Sequence, residues 1–314
     1  MAKRALLESL TTRDLLALAK ACGIPLVARA PRDVIVATLA RSRRSSLAEA
    51  LSDLASKVPA APRETRRAGG RKLGIVGVEA CYQAGDLTFK GYLSQPRELV
   101  GRHASVIVAP EWWGCNDFVR EKADALAKLG YVALAIDLYG NGKKARSRAE
   151  AEHLAWDLLG NPAQCEERFA AAHAFLLAQP NVQKKRIAAI GYCFGGAVAL
   201  HMARVAFPLK AVVAFHATLT AFVQGKKGHV AAKILVLHGD EDTLVGQEQL
   251  IAFRQEMKAL DADFRVVTYR GAAHSFTNPT ADLHAKRHRL PLAYHPSATK
   301  RSWNEMRRFL SQVL

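Results

Sequence analysis

Beyond residue 72, short and almost unbroken apolar runs alternate with longer stretches in which apolar residues recur every three or four positions. The runs at 106–109, 132–136, 187–190, 211–215 and 234–237 have the composition of parallel strands covered on both faces. Between them, 117–129, 165–178 and 247–260 carry the spacing of amphipathic helices, and 264–269 reads as one more strand. Residues 74–94 look like an antiparallel hairpin on the edge. The alternation predicts a doubly wound, mainly parallel α/β sheet with right-handed crossovers.

The first 54 residues follow a different, all-α pattern. Thr12 can cap a helix whose apolar face is Leu15, Leu16, Leu18 and Ala19, closed by Gly23. Pro31 suits the first turn of a second helix bearing Val34, Ile35, Ala37 and Leu39, and Ser46-Leu47 opens a third short one ending near Leu54. Residues 55–72 are rich in Pro, Ala, Gly and charge, the composition of a flexible linker. Three segments are therefore expected: a helical module (1–54), a linker (55–72) and an α/β domain (73–314).

Composition narrows the functional classes. With 314 residues, half of them hydrophobic, the chain can bury a large core. No stretch is apolar for long enough to span a bilayer, and no signal peptide is evident, so a cytoplasmic protein without membrane association is expected. Five cysteines without CxxC or zinc-like spacing point to a reducing compartment and to free thiols. The formal charge of +17 is densest at the start, where residues 1–72 hold 15 Lys/Arg against 6 Asp/Glu. Such a field favours a polyanionic partner.

Candidate chemistry centres on Gly191-Tyr192-Cys193-Phe194-Gly195-Gly196, which directly follows the 187–190 run and precedes a helix-forming segment. A strand, a tight Gly-x-Cys-x-Gly-Gly turn and a helix would present Cys193 at the strand end, as in a nucleophile elbow. Two later loops carry partners in the chain order nucleophile, acid, base. They are His238-Gly239-Asp240-Glu241-Asp242 after the 234–237 strand and Gly271-Ala272-Ala273-His274-Ser275-Phe276 after the 264–269 strand. Both would emerge at the carboxyl ends of parallel strands, where such sheets keep their sites.

With these loops, the chain from about residue 75 resembles the dienelactone hydrolase family of α/β-hydrolases. The resemblance rests on Pro110-Glu111-Trp112-Trp113-Gly114-Cys115-Asn116-Asp117, Asp137-Leu138-Tyr139, the elbow, Gly239-x-x-Asp242-x-x-Val245 and His274-Ser275-Phe276-Thr277-Asn278-Pro279. It implies an α/β-hydrolase sheet and a cysteine-dependent ester or lactone hydrolase acting on a small molecule through Cys193, His274 and a carboxylate. Asp242 matches the family's acid position, with Asp240 as the alternative. Backbone N–H groups of Trp112 and Phe194 are the expected oxyanion donors. Glu111 matches a family glutamate that holds or deprotonates the resting thiol. The prototype's two carboxylate-binding arginines are replaced here by Asn141 and Asn278, so a neutral or differently held ester is expected. Trp113, Tyr139, Asn141, Tyr192, Ser275 and Asn278 are the candidate substrate-binding residues, and Trp112 and Phe276 could extend an aromatic lining.

The helical module resembles the SAP and Rho-N-like nucleic-acid-binding modules, through Leu10-Thr11-Thr12-Arg13-Asp14-Leu15, Cys22-Gly23-Ile24-Pro25 and Val34-Ile35-Val36-Ala37-Thr38-Leu39. That resemblance implies DNA or RNA as a partner of residues 1–54, helped by Arg41, Arg43 and Arg44. Two other functions therefore stand beside hydrolysis. One is acyl transfer by the same triad to an acceptor other than water; the other is a nucleic-acid-associated protein with the hydrolase-like domain as scaffold. No metal or cofactor is implied. His284, His288 and His295 read as members of a solvated basic loop, Gly140-Asn141-Gly142-Lys143-Lys144 as a plain loop, and Cys22, Cys81, Cys115 and Cys165 as ordinary thiols.

Overall fold

A computed structural model describes residues 74–314, together with the helical positions Ile35 and Leu39. The chain divides into two compact units, Met1–Arg67 and Ala68–Leu314. The expected SAP-like module, its nucleic-acid partner and the linker at 55–72 lie outside the described residues, save that Ile35 and Leu39 are both buried.

Eight strands form one sheet: β1 (Ile75–Ala84), β2 (Leu87–Pro96), β3 (His103–Ala109), β4 (Val132–Ala135), β5 (Val182–Tyr192), β6 (Ala211–Phe215), β7 (Lys233–Gly239) and β8 (Phe264–Tyr269). Their order is β1-β2-β4-β3-β5-β6-β7-β8. The β1–β2 and β2–β4 pairings are antiparallel, and all later ones are parallel. Seven helices accompany them among the described residues: α1 (Asp117–Ala127), α2 (Arg148–Leu159), α3 (Pro162–Leu177), α4 (Phe194–Arg204), α5 (Gln247–Ala259), α6 (Ala281–His288) and α7 (Pro296–Val313). No described helix is long and apolar enough to cross a membrane.

The unbroken apolar runs follow from burial on both faces. In β3, Val106 and Val108 join the cluster beneath α1 and α7, whereas Ile107 and Ala109 face the cluster beneath α3, α4 and α5. The same alternation places Ala188, Ile190 and Tyr192 of β5 on the α1/α7 side and Ile187 and Ala189 on the other. Each fully buried large side chain contributes roughly 1.5–3 kcal/mol.

Register positions the functional loops. Ala109 of β3 pairs with Gly191 of β5, and Tyr192 with Phe215 of β6, so the segment after β3 runs beside the turn after β5. Gly239 pairs with Tyr269, which brings the loops after β7 and β8 side by side. The loop Gly140–Lys144 is pinned by Asp137, whose buried carboxylate accepts from the backbone N–H groups of Lys90, Tyr139, Gly140 and Gly142 at 2.8–3.0 Å.

Three helices, α2, α6 and α7, were not among those predicted from the hydrophobic pattern. Helix α2 starts at Ser147, which accepts from Glu150 N at 3.1 Å while the Glu150 carboxylate accepts from Arg146 N at 2.9 Å. The basic segment at 283–296 is not a solvated loop. His284 and His288 lie on α6 with His284 stacked on Trp113 at 4.6 Å, and His295 caps α7, accepting from Ala298 N at 3.2 Å. The chain between these helices bonds back to the segment after β8, through Ala293 N to His274 O and His295 N to Phe276 O.

Candidate active site

Cys193 sits between β5 and α4 with φ 52° and ψ −118°, a conformation that a non-glycine residue holds only when its surroundings impose it, at a cost of the order of 1–3 kcal/mol. Both flanking glycines are sterically required. A Cβ on Gly191 would meet Gly195 O at 2.1 Å, and one on Gly195 would meet the carbonyl oxygens of Ala109 and Pro110 at 2.4 Å. The turn is thus wedged against the end of β3, and Cys193, partly exposed, lines a cavity.

His274 joins Cys193 in lining this cavity. Its Nδ1 lies 2.8 Å from Asp242 Oδ2, with both side chains almost fully buried. The other carboxylate oxygen of Asp242 accepts from Leu244 N at 3.0 Å and Val245 N at 2.9 Å. Burial alone would lower the imidazole pKa, but the Cys193 charge and the Asp242 hydrogen bond and charge outweigh it and hold His274 well above its usual range. Asp240 turns away and accepts from Gly271 N at 2.7 Å.

Glu111, 2% exposed, accepts from Ser275 Oγ at 2.9 Å and from Asn278 Nδ2 at 2.7 Å. Burial raises its pKa, opposed by those two bonds and by the charge of His274. This pair of bonds ties the segment after β3 to the one carrying His274. Tyr139 adds a tie, donating from its hydroxyl to Trp112 O at 2.8 Å. Neither Trp112 N nor Phe194 N has a partner among the turn, loop and cap hydrogen bonds of the described residues.

The cavity holds about 350 Å³ and is mainly apolar. Of the expected site residues, Cys193, His274, Trp112, Phe194 and Ser275 line it. Asp242 and Glu111 stand behind His274 and Ser275. Asn278 holds Glu111, and Trp113 is buried in a cluster with Leu290 and Leu292. Asn141 is exposed at φ 54° in the Gly140–Lys144 loop, away from the lining. Tyr192 and Phe276 pack on the α1/α7 side of the sheet.

The far wall of the cavity is the part that hydrophobic periodicity does not predict. Arg148, Glu152, Ala155, Trp156 and Leu159 come from one face of α2, with Leu244, Thr218 and Gln249 opposite. The Ser147-x-x-Glu150 capping pattern was the available signal. Two other thiols are harder to ionise: burial pushes Cys115 up to about 11 and Cys165 up to about 12. No group of three or more His, Cys, Asp or Glu among the described residues could hold a metal.

A profile of the dienelactone hydrolase family matches residues 89–314, well over half of the chain. The chain belongs to the dienelactone hydrolase family. It is accordingly a hydrolase of the lactone and ester class. Among solved structures it resembles one titled m3DLH, with 39% identity and a TM-score of 0.73 over 76% of this chain and 99% of that one. A dienelactone hydrolase-like promiscuous phosphotriesterase from metagenomic libraries gives 35% identity and a TM-score of 0.72, covering 76% and 98%. A Bradyrhizobium protein named "Probable 2-oxo-3-(5-oxofuran-2-ylidene)propanoate lactonase" is 29% identical over 68% of this chain and 85% of its own length.

Proposed function

We propose that this family member hydrolyses small, neutral esters or lactones through Cys193, His274 and Asp242, by way of a thioester. The observation that carries the reading is the Cys193 turn and the 2.8 Å His274–Asp242 bond converging on one apolar cavity.

In this mechanism His274 takes the thiol proton and the Cys193 thiolate attacks the carbonyl carbon. The carbonyl π electrons move to oxygen, and that oxyanion accepts from Trp112 N–H and Phe194 N–H. Collapse expels the alkoxide, which leaves with the proton held on His274, and the acyl group remains on sulfur. Water then gives a proton to His274 and attacks the thioester. The thiolate departs and recovers the proton, and a carboxylic acid is released. Asp242 keeps the His274 Nδ1 proton in place throughout, so that Nε2 serves as the base. Glu111 holds the donor-bearing segment beside Ser275 and Asn278, taking the place that the family resemblance gives it near the nucleophile.

Neutrality of the substrate follows from the lining. Its one arginine, Arg148, is paired with Glu152 at 2.7 Å, so the cavity presents no uncommitted cation.

The test is turnover of a small aryl ester by wild type and Cys193→Ala, with mass spectrometry of the acyl adduct. Loss of turnover of at least about a thousandfold and of the +acyl species is expected. Equal rates would remove the proposal.

A further inference from the structure

A second cavity, of about 430 Å³, adjoins the one lined by Cys193 and His274 and lies between the segment after β6 and helix α5. Thr220 and Gln249 line both cavities and meet across the boundary only through a 3.4 Å contact from the Thr220 hydroxyl to the Gln249 amide oxygen. A hydrogen bond that long is weak, so the boundary costs little to cross.

From this boundary the second cavity follows one face of α5 as a groove. Gln249, Ala252, Phe253, Glu256, Ala259 and Leu260 line it at the three- and four-residue spacing of a single helical face. Together they span about 16 Å at the helical rise per residue. Glu256 is the one charged residue of the lining, and Arg204 of α4 donates to both of its carboxylate oxygens, at 2.8 and 2.7 Å. The same guanidinium donates to Leu219 O at 2.9 Å on the opposite wall. One buried arginine therefore neutralises the groove and ties its two walls together. At the far end Gly225 lets the loop close on Leu260, whose Cδ1 a Cβ at that position would meet at 2.7 Å.

We propose that this groove takes an unbranched alkyl chain of the ester, an inference that rests on the hydrolytic reading of Cys193 and adds a subsite to it. The lining holds no cation and its carboxylate is already paired, so the groove offers nothing to a charged group. The exposed methyl groups of Ala252 and Ala259 on one wall and that of Ala221 on the other suit a run of methylenes. An acetyl ester needs only the first cavity, whereas a chain long enough to pass Thr220 and Gln249 uses both.

Two pairs of esters, each used below its aggregation concentration, test the groove. Comparing 4-nitrophenyl decanoate with the acetate puts the chain on the acyl side, and comparing decyl with ethyl acetate puts it on the alcohol side. Burial of one methylene is worth roughly fourfold, so the long member of at least one pair should have the higher kcat/KM by about tenfold or more. Ala252→Trp and Ala221→Trp, which fill the groove from its two walls, should lower that long-to-short ratio by about tenfold, while Ala252→Ser should keep it within a few fold. The proposal is overturned if neither long ester is preferred, or if both tryptophan variants, folded by circular dichroism, keep the wild-type ratio. A Cys193→Ala protein that still hydrolyses the short esters would instead sink the hydrolytic reading. Calorimetric binding of decanamide then replaces turnover, with the same loss in the tryptophan variants expected and equal binding fatal to the groove.

Discussion

Replacing Asp242 by asparagine should stop catalysis while leaving the fold in place, and the hydrogen bonds around it set the size of the effect. Asp242 Oδ2 receives the His274 Nδ1 proton, and Oδ1 receives two backbone N–H groups. An asparagine keeps its oxygen on Leu244 N and Val245 N and must then direct its NH2 at His274. Nδ1 becomes an acceptor, the imidazole proton moves to Nε2, and the nitrogen facing Cys193 can no longer act as a base. Flipping the amide would restore the histidine contact but turn an NH2 toward the Leu244 and Val245 N–H groups, leaving the buried Val245 donor unpaired at about 1–3 kcal/mol. The inactive tautomer therefore persists. A loss of about 10³–10⁴ in kcat is expected, equivalent to about 4–5.5 kcal/mol in activation free energy. The assay is kcat and kcat/KM on a small aryl ester, paired with the rate of Cys193 alkylation near neutral pH, which should fall as His274 loses the charge that holds it protonated. Asp240→Asn serves as the control, since the Asp240 carboxylate accepts from Gly271 N alone among the described residues. The reasoning fails if folded Asp242→Asn retains activity within tenfold of wild type, or if Asp240→Asn loses as much.

Trp156 is 66% exposed although it lines the cavity shared by Cys193 and His274; on the proposed mechanism Trp156→Ala should raise KM several-fold for aryl or long-chain acyl esters, leave acetyl esters nearly unchanged and spare kcat, as loss of uniform binding requires. Of two matched esters, one neutral and one bearing a remote carboxylate, the neutral one should have the higher kcat/KM by about tenfold or more, because Arg148 is engaged by Glu152; parity would contradict the neutral-substrate reading. His216 is fully buried, and burial followed by the His274 charge holds its pKa well below 6.5. The unfolded chain thus binds one more proton below pH 6.5, and stability should fall on acidification by up to about 1.4 kcal/mol per pH unit from this residue. His216→Gln, which can still bond Thr277, should flatten that slope in denaturant titrations between pH 6.5 and 4.5; an unchanged slope would refute the assignment.

The parallel strands were legible because burial on both faces leaves no polar position, and a run as short and uniformly apolar as 211–215 fits a buried strand better than a helix or a loop. The residues that meet at the cavity were legible for another reason: Cys193, Asp242 and His274 each follow a strand closely, so chain order alone carries them to one edge of the sheet. Helix α2 was obscured because both of its faces are used. Ala151 and Leu158 pack inward, while Trp156 and Arg148 face the cavity, which blurs the apolar stripe. Segment 283–296 misled in the opposite direction. Its Lys, Arg and His content reads as solvated, but imidazole rings stack on an indole as readily as they meet water, and Trp113 lies far earlier in the chain. Aromatic type likewise says nothing about facing: Tyr192 and Phe276 neighbour Cys193 and His274 in sequence and point to the other side of the sheet.

Glu111 connects the geometry of the site to its selectivity. A buried carboxylate is stabilised as an anion by a nearby cation or by hydrogen bonds, and Glu111 has the neutral donors Ser275 and Asn278 and the charges of His274 and Lys122, without a direct ion pair among the described residues. Burial therefore prevails and raises the Glu111 pKa. The asparagine that replaces an arginine of the prototype thus has two effects from one substitution. It removes a cation that could attract an anionic substrate, and it leaves beside Ser275 a carboxylate whose ionisation burial disfavours. On the proposed mechanism, the missing cation and the pairing of Arg148 with Glu152 together disfavour an anionic substrate.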